Sequence, residues 1–362
     1  MSVSEVNRAL PPGSVIGILG GGQLGRMLAV SATQLGYNCH IYAPEENSVA
    51  AGVAQHFTCA AYDDTAALEA FARACDVITY EFENVPVECA KIVARHVPLR
   101  PGYKALEVAQ DRAEEKEFAR ASGGVTADFA LVGSEDELRA AAAEIGLPAI
   151  LKTNRFGYDG KGQVRLKSAD DIAAAWHAVA GQPCVLEGFV DFAAEFSVIL
   201  ARALDGTIAT YDSAENVHEN GILALSTVPA SDAVLRQIPA ARDIAAKIAQ
   251  RLDYVGVLTC EFFVGTGGPV LNEIAPRVHN SGHWSMEGAV ASQFENHIRG
   301  VCGLPLGSTA LTGTRAEMRN IIGDAANDWA NYLADPDCHL HLYGKGEPRE
   351  GRKMGHATWV AK

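Results

Sequence analysis

Val15-Ile16-Gly17-Ile18-Leu19-Gly20-Gly21-Gly22-Gln23-Leu24-Gly25-Arg26-Met27-Leu28 is a strand, a glycine turn and the opening of a helix written in one line of sequence. Val15–Leu19 is a short apolar run bounded by glycine, which reads as a buried strand. Leu24, Met27, Leu28 and Leu35 then recur at helical spacing. The alternation continues outward: strand Asn38–Tyr42, helix Ala66–Ala74, strand Val77–Tyr80, and helix Pro86–His96 with proline in its first turn. Strands that alternate with helices imply right-handed crossovers and a parallel sheet. Residues 1–108 are therefore expected to form a Rossmann-like α/β domain.

The pattern changes after residue 108. Asp111–Ser122 reads as a charged amphipathic helix. Ser134–Ile145 reads as another, with Ser134 and Glu137 as a capping box. Strands Ala149–Leu151 and Val164–Leu166 flank a glycine-rich loop. From Cys184 onward strands dominate: Cys184–Glu187, Glu195–Arg202, Ile208–Tyr211, Val257–Val264 and Val270–Ile274, interrupted by a helix over Asp232–Leu252. The expected plan is a two-lobed α/β and α+β unit over 109–305, with a small lobe at about 113–185 and a large lobe at about 186–305. A small, mostly β module follows over 306–362.

At 362 residues the chain has room for two or three domains of roughly 150 residues each. Hydrophobic residues are 48% and charged residues 20%, which excludes a disordered chain. Thirty Lys and Arg against 44 Asp and Glu give a net charge of −14, so nonspecific nucleic-acid binding is not expected. A small phosphate ligand remains compatible, because a few local cations and amides suffice. No apolar run reaches the ~20 residues of a membrane helix. Met1–Gly13 lacks a basic-then-apolar leader pattern, and eight scattered cysteines without a CxxC pair suit a reducing compartment. A cytoplasmic protein is expected.

Five segments carry chemistry. Gly20-Gly21-Gly22-Gln23-Leu24-Gly25 fits G-x-G-x-x-G between strand and helix. It reads as a phosphate site, a dinucleotide site or a purely structural turn. A dinucleotide site wants an acid at the end of the second strand, but Glu45 and Glu46 come only after Pro44. Lys152 precedes Gly157-Tyr158-Asp159-Gly160-Lys161-Gly162-Gln163, which suits a lid over phosphate oxygens or an ordinary hairpin loop. Glu261 and Asn272-Glu273 sit on successive strands in apolar surroundings and offer hard oxygen ligands for Mg²⁺; solvated edge acids are the alternative. Arg277, His279, Asn280 and His283 form a donor-rich loop for a small oxyanion. The i, i+4 histidines could also mimic a zinc pair, although Pro276 and the turn residues argue against a helix there. Lys345, Arg349, Arg352, Lys353 and His356 are the one dense basic cluster, either a solvated tail or a phosphate clamp.

Taken together these segments resemble the ATP-grasp superfamily and, more narrowly, the N5-carboxyaminoimidazole ribonucleotide synthetase family. GILGGGQLGRML at 17–28, YEFENV at 80–85, QDR at 110–112, GYDGKGQ at 157–163, NVHENGI at 216–222, LNEIAPRVHNSGHW at 271–284 and YGKGEPREGRKMGH at 343–356 carry the resemblance, in order along nearly the whole chain. It implies an ATP-grasp fold and carboxylation of 5-aminoimidazole ribonucleotide by bicarbonate through carboxyphosphate, with ATP becoming ADP and phosphate. It implies ATP contacts at Arg112, Lys152, Gly157, Tyr158, Asp159, Gly160, Lys161, Gly162, Gln163, Glu187, Gly188, Phe189, Val190, Glu195, His218, Asn272 and Glu273. Glu261 and Glu273 would hold Mg²⁺ or Mn²⁺. Arg277, His279 and Asn280 would hold bicarbonate and carboxyphosphate, and Asp159 would orient the reacting amine. Gln23, Leu24, Lys345 and Arg352 would take the substrate's 5′-phosphate, and Glu83 its ribose. A homodimer is what the family implies. Glu350 stands where the family commonly has proline, so a looser turn before Arg352 is expected.

Other readings make different demands on the same residues. A formate-using ribonucleotide transformylase or a biotin-carboxylase-like ligase shares the lid and metal pair but not the NSGHW loop. A nicotinamide oxidoreductase leaves GYDGKGQ and the Glu261/Glu273 pair without work, and a non-catalytic nucleotide-binding subunit would not need them intact.

Overall fold

The computed structural model describes residues 9–155, 162–179 and 181–362. The first unit is a four-stranded sheet of β1 (Val15–Leu19), β2 (Asn38–Ala43), β3 (His56–Cys59) and β4 (Val77–Tyr80). Its order is β3-β2-β1-β4 and every pairing is parallel. The alternating pattern of the sequence predicts this arrangement. β3 has no such signal, because at the sheet edge His56 and Cys59 are exposed and Phe57 and Thr58 only half-buried. The helix Gln23–Gln34 leaves β1 through the glycine turn and buries Leu24, Met27 and Leu28. Those side chains pack in one core with Ile199, Trp284, Phe294 and Ile298, so the first helix is clamped between its own sheet and the large lobe.

The small lobe follows with β5 (Val125–Thr126), β6 (Phe129–Val132), β7 (Ala149–Thr153), β8 (Gln163–Leu166) and β9 (Cys184–Gly188). Four of these form an antiparallel sheet in the order β6-β9-β7-β8. The helix Glu135–Ile145 covers it, with Leu138 packed against Leu151 and Leu186. Ser134 caps that helix by accepting from the Glu137 amide. The reciprocal half of the expected capping box is displaced by one residue: Glu137 Oε2 accepts from Gly133 N at 2.7 Å, not from Ser134.

The large lobe is built on β10 (Glu195–Arg202), β11 (Ile208–Thr210), β12 (Ala214–Glu219), β13 (Ile222–Val228), β14 (Gly256–Gly265) and β15 (Gly268–Ala275), and the last strands are β16 (Arg315–Ile322), β17 (Cys338–Leu342) and β18 (Lys353–Ala361). All belong to one sheet in the order β17-β18-β16-β13-β12-β10-β14-β15-β5, with β11 beside β10. The last three strands thus extend the sheet of the large lobe through the β13–β16 pairing. Asn220 and Gly221, both at positive φ, make the two-residue turn between β12 and β13. The helix expected over Asp232–Leu252 is two helices, Asp232–Leu235 and Ile238–Arg251. Pro239 lies in the first turn of the second; it has no N–H to donate and starts a helix more readily than it continues one.

Candidate functional site

Strands β7 and β9 set the first cluster. Glu187 pairs with Ile150, so Lys152, two residues along β7, lies on the same face. Lys152 Nζ donates to Glu187 Oε2 at 2.9 Å, and Lys116 Nζ lies 3.3 Å from the same oxygen. Lys116 is 1% exposed, Glu187 4% and Lys152 9%. Burial works to raise the Glu187 carboxyl, but Lys152 and Lys116 outweigh it and hold Glu187 below the usual range. Lys116 is pulled down, chiefly by its own burial. Glu187 Oε1 is buried with no partner among the described residues. It borders a cavity lined by Ile150, Gly188, Phe189, Val190, Phe263, Leu271 and Asn272. Apolar walls and one unpaired acceptor suit a flat heteroaromatic ring that carries an amino group. Nearby, Arg112 Nε donates to Thr153 O at 3.2 Å. Of the glycine-rich loop, Gly162 and Gln163 are placed at the start of β8; Gly157, Tyr158, Asp159, Gly160 and Lys161 lie outside the described residues.

Across the cleft, Glu195 pairs with Asn216, which puts His218 on the same face two residues on. His218 Nδ1 lies 2.8 Å from Glu195 Oε2. Burial pulls His218 down, but Glu195 and Glu261 outweigh it and its net shift is upward. Glu261 on β14 stands opposite Glu273 on β15. The next pair is Phe262 with Leu271, so Asn272 is an extra residue in β15. This bulge breaks the strict alternation of faces and lets both Asn272 and Glu273 serve one cleft. Glu261, Glu273 and His279 bring ligand atoms within 4.8 Å of one another. Burial, then the facing Glu273, raises the Glu261 carboxyl to about 7. Two carboxylates crowded in this way, with an imidazole beside them, fit a hard divalent cation that would relieve their repulsion.

The loop after β15 faces this cluster. Arg277 Nε is paired with Glu83, which follows β4 in the first domain. Burial alone would lower the Arg277 guanidinium; Glu83 reverses the effect. Burial and then Arg277 push His279 well below its ordinary value. Both side-chain polar atoms of Asn280 are buried without a partner among the described residues. His283 does not join the cluster: its Nδ1 meets Gln293 Nε2 at 3.1 Å and its ring packs on Phe294 and His356. The i, i+4 zinc pair is therefore set aside: the turn between the two histidines is a 3₁₀ helix over Asn280–Gly282, in which residues three apart, and not four apart, share a face. A polar cleft lined by Glu83, Gln110, Arg112, Glu115, Glu273 and Arg277 joins the first domain to the acidic cluster.

The glycine turn already holds an anion of the protein itself. Glu81 Oε1 accepts from Gly22 N at 2.6 Å and Oε2 from Gly25 N at 2.7 Å. A Cβ at residue 22 would lie 2.6 Å from Glu81 Oε1, so any larger residue there would push the carboxylate off the Gly22 and Gly25 amides. The Gln23 and Leu24 amides are the donors of this first turn that Glu81 does not take. Burial raises Glu81, while the amides, Arg277 and Lys345 oppose it. The field of Lys345 thus reaches the glycine turn from more than 300 residues away in sequence. Lys353 likewise acts on Glu83, Glu261 and His279. Arg352 stands one residue before β18, in a turn closed by Arg352 N on Arg349 O at 3.0 Å with Gly351 at φ 71°. Gly351 supplies the left-handed conformation that this turn requires.

Sequence reasoning missed Lys116, Glu115 and Glu81 as site residues and left Lys353 in an undivided basic cluster. Lys116 and Glu115 look like ordinary charges on a solvated helix face. Each is at most 3% exposed, and Glu115 Oε1 accepts from Ile274 N at 2.5 Å. The signal for Glu81 was its place directly after a fully buried strand.

These features define an ATP-grasp protein. Family models described as the ribonucleotide synthetase preATP-grasp domain, the ATP-grasp domain and the phosphoribosylaminoimidazole carboxylase C-terminal domain match residues 14–110, 117–294 and 316–362. N5-carboxyaminoimidazole ribonucleotide synthase of Brucella melitensis is 52% identical over 355 residues, covering 97% of this chain and 98% of the relative. The crystal structure of the Thermus thermophilus synthetase is similar with TM-score 0.89 and 44% identity, over 95% of this chain and 93% of that one. The Aspergillus clavatus synthase, solved with ADP and 5-aminoimidazole ribonucleotide, gives TM-score 0.89 and 32% identity over 96% and 94%. The chain belongs to the N5-carboxyaminoimidazole ribonucleotide synthase family.

Proposed function

We infer that the cleft between the first domain and the large lobe is where 5-aminoimidazole ribonucleotide meets activated bicarbonate. The chain is an ATP-dependent carbon–nitrogen ligase that forms N5-carboxyaminoimidazole ribonucleotide in purine biosynthesis, releasing ADP and phosphate. The observation that carries the site assignment is the polar cleft itself. It is shared by Glu83 from the first domain, Arg112 from the nucleotide side and Arg277 from the oxyanion loop.

Bicarbonate is a poor electrophile, so one of its oxygens must become a leaving group. That oxygen attacks the γ-phosphorus of ATP, giving carboxyphosphate and ADP. Lys152 and Lys116 stand ready to neutralise nucleotide phosphate, and the unpaired Glu187 Oε1 to accept from the adenine amino group, beside the backbone of Gly188, Phe189 and Val190. Glu195, with His218 on it, is assigned to the ribose hydroxyls, and Arg112 and Asn272 to the phosphate side. When bound between Glu261 and Glu273, Mg²⁺ or Mn²⁺ would supply positive charge to the transferring phosphates. Arg277, His279 and Asn280 hold the bicarbonate and carboxyphosphate oxygens; the orphaned Asn280 amide supports this role, since a buried amide without a partner is costly unless a ligand fills it. Gly157 to Gln163 would close over the phosphates and exclude water, which hydrolyses carboxyphosphate. Asp159 would orient the amine. The amine nitrogen then bonds the carboxyl carbon, the carbon–oxygen bond to phosphate breaks, and the nitrogen gives up a proton.

The substrate's 5′-phosphate is assigned to the free Gln23 and Leu24 amides, Lys345 and Arg352, and its ribose to Glu83. Units at 1–108, 109–305 and 306–362, a homodimer and a cytoplasmic setting complete the reading. The last is supported by the finding that no helix among the described residues is long and apolar enough to cross a membrane. An assay of ADP release tests the reading: turnover should require the ribonucleotide and bicarbonate together. Equal turnover with formate or biotin in their place would overturn it.

A further inference from the structure

Gln110 lines the cleft between the first domain and the large lobe, yet the reaction scheme gives it no role. It stands in the short link between the helix Tyr103–Ala109 and the helix Arg112–Ala121. Its backbone N–H closes the first helix on Leu106 O at 3.0 Å. Asp111 opens the second, its Oδ1 accepting from Ala113 N and Glu114 N at 3.2 Å. The backbone at Gln110 is thus pinned from both sides, and its buried side chain starts from a fixed point.

That side chain uses both ends of its amide. Nε2 donates to Glu83 O at 2.8 Å and to Val85 O at 2.7 Å. Oε1 accepts from Arg155 Nη2 at 3.3 Å. Two carbonyls at one end and a guanidinium at the other permit a single orientation, because the amide nitrogen has two protons and the oxygen has none. The segment that carries these carbonyls leaves β4 and forms neither strand nor helix before Val87. Gln110 therefore supplies donors that a neighbouring strand would otherwise provide. Val85 anchors the far end of the segment in the core of the first domain. Between the two bonded carbonyls the backbone of Glu83 is held, and its carboxylate meets Arg277 of the oxyanion loop. Through Arg155 the same amide reaches the residues that follow β7, the strand of Lys152.

We propose that Gln110 is a positioning residue for the ribonucleotide: by holding the Glu83 and Val85 carbonyls it aims the Glu83 carboxylate at the ribose and at Arg277, and so sets the amine against carboxyphosphate. This rests on the assignment of Glu83 to the ribose. Without the hold, the Glu83–Val85 segment gives way and the ribonucleotide binds loosely. Carboxyphosphate then meets water in place of the amine. The water oxygen bonds the carboxyl carbon, the carbon–oxygen bond to phosphate breaks, and the water gives up a proton. Bicarbonate and phosphate are returned, and ADP has been released without product.

Gln110→Glu tests this, because it keeps the shape and the acceptor toward Arg155 and removes both donors. KM for the ribonucleotide should rise roughly 10-fold or more, the lower worth of a charge-assisted contact, with KM for ATP within about twofold. More than one ADP should appear for each carboxylated product. An unchanged KM for the ribonucleotide overturns the proposal, as does an equal rise for ATP. A lower kcat with both KM values and a one-to-one ratio of ADP to product shows only a loss of folded enzyme, and overturns it too. Glu83→Gln separates the proposal from the assignment beneath it. No rise in ribonucleotide KM in Glu83→Gln overturns the ribose assignment; a rise there with none in Gln110→Glu overturns the positioning role. Should Gln110→Glu not fold, the wild-type chain labelled with ¹⁵N at glutamine decides. The Gln110 side-chain amide, identified by its cross-peaks to Val85, should exchange its protons roughly tenfold more slowly with the ribonucleotide bound, and not with ADP alone. Exchange that the ribonucleotide leaves unchanged overturns the proposal.

Discussion

Glu187→Gln should both weaken the fold and enlarge the protection that ATP gives it. Glu187 is the shared counter-ion of Lys152, at 2.9 Å, and Lys116, at 3.3 Å, and all three are buried. Glutamine keeps the volume and one acceptor but removes the negative charge, leaving two buried ammonium groups to face each other. Breaking a buried pair by deleting one partner costs about 3–5 kcal/mol. The retained amide oxygen still accepts one hydrogen bond, so about 3 kcal/mol is expected at neutral pH. The sign with pH follows from the depressed carboxyl. A carboxyl lowered in the folded state stabilises above its unfolded pKa, and that stability is lost as pH falls through the folded value. The gap between wild type and variant should therefore be full at pH 7 and shrink on acidification below the usual carboxylate range. Urea unfolding across pH measures it. ATP phosphates would supply the missing anion, so the rise in melting temperature on adding ATP should be larger in the variant. A variant within about 1 kcal/mol of wild type at pH 7 would refute the argument, since that is the range of an exposed ion pair.

Glu273→Gln should reduce ATP turnover by orders of magnitude and weaken Mn²⁺ binding, followed by electron paramagnetic resonance, with the circular dichroism spectrum unchanged. Because Glu261 is raised to about 7 and must ionise to hold a cation, Mn²⁺ affinity should rise between pH 6 and pH 8 and level off above it. Arg352→Ala should raise KM for the ribonucleotide roughly 10- to 150-fold, the worth of one charge-assisted contact, and KM for ATP far less; the opposite split would move the C-terminal cations to the nucleotide site. Glu81→Ala leaves the Gly22 and Gly25 amides without their acceptor and should cost about 1–3 kcal/mol in urea unfolding.

Local chemistry made much of the fold legible in advance. β1, its glycine turn and the helix Gln23–Gln34 are written in neighbouring residues, and Ser134 caps its helix through an amide three positions away. Motifs singled out Glu261, Glu273, Arg277, His279 and Asn280 as candidates from two short segments, and the fold brings Glu261, Glu273 and His279 together. Edge strand β3 escaped because four exposed and half-buried residues carry no period, and the break before Ile238–Arg251 was hidden by continuous apolar spacing on either side of Pro239.

Tertiary structure alone decided what each charge faces. Lys116 and Glu115 read as solvated helix positions until β9 and β15 close over them and desolvation turns them into site residues. Glu81 fills a turn that reads as an empty phosphate cradle, because β4 lies beside β1 in a sheet whose order no local rule specifies. Arg277 meets Glu83 across 194 residues. Ser197, Asn216 and Ser281 are unremarkable in sequence and become one hydrogen-bonded chain only when β10, β12 and the loop after β15 share a buried face. Residue types and their local order determine which elements form and which chemistry is available; burial and partners separated by tens to hundreds of residues determine which of those groups act together, because desolvation and hydrogen-bond direction are properties of the packed space around a group.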